Sequence, residues 1–307
     1  MNRWGVISDL FAMKKGDLIF LYVKKEKKLH GVFRTELTAL YDPSEIESSS
    51  GKSILDKRYP YRFTFQPYAH EFLVPLELDD LADLIDRKKI WSFPHPITME
   101  RTRGARSVNP ITHSEAMELI HLLLRENPVA ATARQLTRPY IPSMVQKIQL
   151  TFNARSDGSL RYESNLAAWL NQELADRNPS ISNIIGQYSE FISGIPAGEK
   201  RIDLLCIHRK EANQIHSGRP YLFTIFELMT GKGDMDHFGR LSFYRDWAVD
   251  KLAAGDRRAV QTVMVARDYR PEVIRSAEGT GKRSRFILLD YDVSGSPGKL
   301  TIEKRFP

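Results

Sequence analysis

A single cysteine, Cys206, serves a chain of 307 residues. One thiol can form neither an internal disulfide nor a cysteine-based zinc cluster, which excludes a disulfide scaffold and a zinc-finger module. Long apolar runs are missing too. The longest near the start, Leu18 to Val23, has six residues, whereas a bilayer-spanning helix needs about 20. Asp9, Lys14, Lys15 and Asp17 interrupt any apolar stretch of a secretory leader. There is no G-x-S-x-G elbow and no histidine pair at zinc-protease spacing. Gly279-Thr-Gly-Lys-Arg-Ser284 lacks the four-residue gap between glycines that a phosphate loop needs. No internal repeat or low-complexity tract is evident. These absences lead to the expectation of a soluble, cytoplasmic protein with no membrane partner.

What is present suits a folded core. Hydrophobic residues make up 42% and charged residues 27%, a balance unlike that of disordered chains. At roughly 150 residues per domain, the length predicts two. Lys and Arg number 45 against 38 Asp and Glu, a net charge of +7, and the sequence pI is near 9.3. That excess points to a polyanionic partner.

The first hundred residues read mainly as strands. Asp17 to Val23 and Leu29 to Thr35 flank the charged turn Lys24-Lys-Glu-Lys-Lys28, a hairpin pattern. Tyr61 to Gln66 alternates aromatic and polar residues as a half-buried strand does. Helical spacing follows at Asp79–Ile85 and at Ser114–Arg125, with Thr112 or Ser114 as cap. Asn127-Pro128, Arg138-Pro139, Ile141-Pro142 and Asp157-Gly158 mark a connector. The expected division is therefore a first domain over 1–126, a linker over 127–158 and a second domain over 159–307.

The second half reads as a sheet flanked by helices. A helix is expected over Tyr162–Leu174, with strands at Gln187–Ile192, Arg201–Ile207 and Tyr221–Leu228. A hairpin signal, Ser217-Gly-Arg-Pro220, precedes the third of these. Next come a helix over Met235–Ala253, a strand at Val260–Ala266, a helix near Pro271–Ala277 and a strand at Arg285–Asp290.

Asp203 lies in Arg-Ile-Asp-Leu-Leu-Cys-Ile, and Glu227 ends Phe-Thr-Ile-Phe-Glu-Leu. A carboxylate inside an apolar strand is costly unless it is paired, hydrogen-bonded or bound to a metal. Two on neighbouring strands could hold a divalent cation against a phosphodiester; their plain alternative is a strand end emerging into solvent. Asp234, Asp236 and His237 follow; they could extend a metal site or offer His237 as a general base, and the favoured reading is Asp234 as cap of the next helix.

Glu163 on an opening helix, Asp203 after Gly198-Glu-Lys-Arg-Ile, and Glu227-Leu-Met resemble the PD-(D/E)XK nuclease superfamily. Lys200-Arg-Ile-Asp-Leu-Leu-Cys206 and Phe238-Gly-Arg-Leu-Ser-Phe-Tyr244 are most similar to the C-terminal domain of NucS-type endonucleases, over about residues 160–290. The resemblance implies Mg²⁺ or Mn²⁺ at Asp203 and Glu227, with Glu163 as a further ligand. Two positions depart from the pattern. Met229 stands where the family has a lysine, and Arg240 where a glutamine is common. Lys232 and Lys200 are the candidates for the missing lysine, which would orient water and stabilise phosphorane charge.

In the first half, Asn2-Arg-Trp-Gly-Val6, Met13-Lys-Lys-Gly-Asp-Leu-Ile-Phe-Leu-Tyr22 and Gly31-Val-Phe-Arg34 resemble the EVE and YTH branch of PUA-like domains, to about residue 125. That resemblance implies a β-barrel with helices that takes a flipped, modified base into an aromatic pocket. Trp4 and Trp91, with Phe93 or Tyr61, are the expected pocket aromatics; the alternative for each is core packing. Arg240, Arg101, Arg103, Lys282 and Arg283 are the expected nucleic-acid contacts.

Together these point to an α+β or α/β protein of two domains, a PUA-like barrel followed by a mixed nuclease sheet. The function expected is metal-dependent cleavage of double-stranded DNA carrying modified bases, by a homodimer. Cleavage of mismatched or branched DNA, a non-catalytic nucleic-acid binder and an RNA-binding role are the alternatives.

Overall fold

The structure, a computed structural model, describes residues 3–44, 46–47, 53–55, 60–68, 70–92, 108–129, 131–132, 142, 146–198, 200–209, 221–280, 285–295 and 298–305. The chain divides into two compact units, Asp9–Gln149 and, with the first eight residues added, Leu150–Pro307. The expected connector over 127–158 is thus shared between them. Both units mix helices and sheets, so the protein is α+β. No helix among the described residues is long and apolar enough to cross a membrane.

Helix α1 (Arg3–Ala12) opens the chain and was not expected from its sequence. In the N-terminal unit β1 (Leu18–Val23) and β2 (Lys28–Tyr41) form the expected antiparallel hairpin. Strand β2 is the hub. Two short strands, β3 (Ile46–Glu47) and β4 (Ser53–Leu55), pair with each other, and β5 (Tyr61–Pro67) returns along β2. β6 (His70–Glu71) pairs with β8 (Ala131–Thr132), while β7 (Leu76–Glu77) and β9 (Gln146–Lys147) attach to the start and end of β2. These pairings do not close into a barrel among the described residues. Helices α2 (Leu78–Asp86) and α3 (His113–Glu126) bring Leu81, Leu119, Leu122 and Leu123 onto Leu29, Val32 and Leu76 to make the core. Thr112 caps α3 reciprocally with Glu115.

In the C-terminal unit α4 (Glu163–Ala175) turns Leu166, Trp169, Leu170 and Leu174 inward, as its periodicity predicts. A further short helix, α5 (Pro179–Ile185), starts on the cap Asn178 with proline in its first turn. The sheet then runs β10 (Glu190–Ala197), β11 (Lys200–Arg209), β12 (Tyr221–Leu228) as an antiparallel meander. The segment Ser217–Pro220 between the last two lies outside the described residues. A two-residue strand, β13 (Lys232–Gly233), leads into helix α6 (Met235–Lys251), which carries the chain to β14 (Val260–Ala266), parallel to β12. β15 (Asp268–Tyr269) pairs with β13, and α7 (Pro271–Thr280) crosses to β16 (Phe286–Ser294), parallel to β14. β17 (Lys299–Lys304) closes the order β10-β11-β12-β14-β16-β17. β14 is buried at every residue, as a central parallel strand covered on both faces should be.

The first strand falls later than expected, at 190–197 instead of 187–192. It runs through Pro196, which has no N–H to give to a second neighbour. Among the described residues β10 is the outermost strand and has no second neighbour, so the proline is tolerated.

Candidate active site

Register brings the two strand carboxylates together. β11 and β12 pair Leu204 with Phe226 at the end of their ladder, and Asp203 and Glu227 are the next residue on each strand. By alternation both then lie on the face opposite Leu204 and Phe226. On the far side of Glu227 the register continues to Met264 of β14. On the far side of Asp203, the pairs Ser193–Leu204 and Ile195–Ile202 bracket Gly194, whose φ is +70°. A glycine there puts no side chain beside the Asp203 carboxylate. Alternation sends Leu204, Phe226 and Leu228 to the opposite face, into the core beneath α4.

The acids face helix α6. Glu227, its side chain 2% exposed, meets the Arg240 guanidinium at 2.6 Å between Oε1 and Nη2, while Arg240 is 40% exposed. The Leu228 N–H donates to Asp203 Oδ2 at 2.8 Å. Burial pushes the Asp203 carboxyl well above its ordinary range, and Glu163 adds repulsion. Burial raises Glu227 as well, and Asp203 and then Glu163 repel it; Arg240 and Lys200 pull it back down. Glu163, at the first position of α4, is raised by partial desolvation and lowered by Arg240 and His237, although its side chain keeps an exposed flank. The three expected acids thus form one electrostatic group.

The two lysine candidates part company. Lys200 pulls Glu227 down and holds its ammonium 5.0 Å from the Phe243 ring centroid. Lys232 instead meets Asp268 at 3.0 Å, on the β13–β15 pair. Met229 is buried, and its N–H donates to the Val265 carbonyl. Arg240, expected at the nucleic acid, is the ion-pair partner of Glu227. Asp234 caps α6 by accepting from the Asp236 and His237 N–H groups, and its carboxylate holds His237 Nδ1 at 2.5 Å.

Tyr244 was missed in the sequence. Its hydroxyl donates to the Arg201 carbonyl at 2.8 Å, and burial together with Glu227 and Asp203 pushes its pKa up to about 12. The signal that could have found it is spacing: His237, Arg240 and Tyr244 stand at i, i+3 and i+7 on α6, one helical face.

Among the described residues no group of three or more His, Cys, Asp or Glu side chains is placed to hold a metal ion. Two hard carboxylates suit Mg²⁺, which is commonly bound by one or two carboxylates with waters and substrate oxygens completing its shell. The Arg240 guanidinium is a stand-in cation on that donor set, and the fit is to this open kind of site.

The expected base-pocket aromatics do not all belong to one unit. Trp4 lies on α1 and stacks on Phe152 in the C-terminal unit, with ring centroids 6.4 Å apart. Tyr61 packs on Tyr41 at 5.5 Å in the N-terminal unit. Trp91 is anchored in that same unit by its backbone N–H, which donates to Glu115 Oε1 at 2.6 Å. Phe93, Arg101, Arg103, Lys282 and Arg283 lie outside the described residues.

Comparison with protein-family models, with curated proteins and with solved structures finds no match for this chain.

Proposed function

We propose that the C-terminal unit is a divalent-metal-dependent DNA endonuclease of the PD-(D/E)XK kind. The observation that carries this is the Asp203–Glu227 pair, set across adjacent strands on one face of a mixed sheet. The order helix, three-strand meander, helix, parallel strand around it supports the same reading. Asp203 and Glu227 would hold Mg²⁺ or Mn²⁺; Glu163, which forms no three-ligand group with them, would add negative charge beside the pair. Such an ion supplies a lowered water pKa and charge stabilisation at the phosphoryl oxygens.

Within this proposal the chain's own groups have distinct tasks. Gly194 leaves the Asp203 flank open to a phosphate. Lys200, near Glu227, would stabilise charge on the phosphorane, the role that buried Met229 cannot fill. Lys232 is assigned no part, since Asp268 holds it. The N-terminal unit would select the DNA through a modified base, with Trp91 and Tyr61 as candidate contacts. Cutting both strands needs two such sites, and a homodimer would provide them.

The test is cleavage of plasmid DNA, with and without base modification, in Mg²⁺ and in Mn²⁺. Wild type is run beside Asp203→Ala and Glu227→Ala. Cutting by wild type alone supports the acid pair, and preference for modified plasmid supports base selection. Cutting retained in both variants would sink the proposal.

Met229 favours a second reading, a nuclease fold kept only as a nucleic-acid-binding scaffold. There, no variant at Glu227 would change DNA affinity, and wild type would cut nothing.

A further inference from the structure

Three basic groups act on the acids, and two are engaged elsewhere. Lys200 sits over Phe243 and His237 is on Asp234. Arg240 alone among these is in direct contact with one of the strand carboxylates, at 2.6 Å. A carboxylate as buried as that of Glu227 needs a counter-charge. The guanidinium meets that need, yet much of its surface remains in solvent. An arginine head on a long stem can leave such a contact without unpacking the helix that bears it.

Resting on the nuclease reading, we propose that Arg240 is the resting counter-cation of the acid pair and competes with the divalent ion for Glu227. The ion displaces the guanidinium, which then passes to a phosphate of the bound strand. Charge balance favours the exchange. At the mildly alkaline pH that ionises both carboxylates, the pair with one guanidinium retains a net negative charge that repels DNA. The same carboxylates with a divalent ion are neutral, and the released guanidinium is free to bind phosphate through two parallel hydrogen bonds. The site therefore gains its phosphate ligand only when the ion arrives.

Mn²⁺ binding to the full chain at mildly alkaline pH tests this, with free Mn²⁺ followed by electron paramagnetic resonance. Wild type is compared with Arg240→Gln and Arg240→Lys, and Asp203→Asn serves as the cation-site control. Removing the competitor should tighten Mn²⁺ binding by about tenfold. The same variant should lose about tenfold in affinity for a short duplex in Ca²⁺, with no change in the absence of the ion. Equal or weaker Mn²⁺ binding by Arg240→Gln, with binding abolished in Asp203→Asn, would overturn the competition and leave the nuclease reading standing. No Mn²⁺ binding by any of the proteins would end both. Should Arg240→Gln melt before wild type, Arg240→Lys, which keeps the charge and shortens the reach, is measured on the same readouts. Tighter Mn²⁺ binding by that variant supports the competition, and equal or weaker binding overturns it.

Discussion

Each unit buries acidic side chains, and each treats them differently. In the N-terminal unit Glu115 accepts from Trp91 N, Ser92 N, Ser92 Oγ, Thr112 N and Thr112 Oγ1, all between 2.6 and 2.7 Å. Asp42 faces Arg62, itself buried, at 3.7 Å and accepts from the Ser44 N–H. These carboxylates are surrounded by donors and fasten loops to strands and helices. In the C-terminal unit Asp203 and Glu227 face one another, and their shared burial raises both. Fully donated burial marks a structural acid; mutual repulsion inside a sheet is what the nuclease proposal reads as room for a cation. Burial alone would have grouped Glu227 with Glu115 and Asp42.

Substitutions should separate the two kinds, and the largest effect is expected at the repelling pair. If the nuclease proposal holds, Asp203→Asn or Glu227→Gln should lower plasmid cleavage by at least about a thousandfold. Glu115→Ala should leave several buried donors unmatched and destabilise the N-terminal unit by about 3–4 kcal/mol in a denaturant titration. An intact melting profile would remove the structural role given to Glu115. Lys200→Ala should slow cleavage by about 10- to 100-fold at unchanged stability.

The pH dependence has a definite sign. A carboxyl raised on folding binds its proton more tightly in the native state than in the unfolded chain. Its contribution is therefore full below about pH 4 and is lost as pH rises towards the raised folded value. Wild type without divalent ion should accordingly lose about 1–2 kcal/mol relative to Asp203→Asn between mildly acidic and mildly alkaline pH. Adding Mg²⁺ should recover that difference in wild type and not in the variant, and EDTA should reverse it. The smallest effect belongs to Lys232→Ala, which breaks an exposed pair with Asp268 and should change stability by no more than about 0.5 kcal/mol. A large loss of cleavage there would move the lysine role from Lys200 to Lys232.

Much of the C-terminal sheet was legible in the sequence. Tyr221–Leu228 and Val260–Ala266 emerge with the bounds read from their largely apolar sequences. The last strand was missed although Lys-Leu-Thr-Ile-Glu-Lys alternates with the period of a strand, because its two apolar residues are few beside three charged ones. The contact of Arg240 with Glu227 was illegible for a different reason. Thirteen positions separate them in the chain, and only the return of α6 over the sheet closes that distance. The N-terminal unit was less legible still. Its hairpin was clear, but β2 collects partners from 61–67, 76–77 and 146–147, and no local pattern announces pairings of such range.

Both borders of the C-terminal sheet carry a consequence for assembly. One is β10, with Gly194 and Pro196; the other is β17, whose Lys299, Glu303 and Lys304 are exposed. Prolines and charges at such borders discourage a second chain from adding its own strand. Copies of this protein that associate would not do so by fusing their sheets into one. If the nuclease proposal holds, two cuts on opposite DNA strands would then require copies that meet through helices or loops, or one copy that nicks, releases and returns.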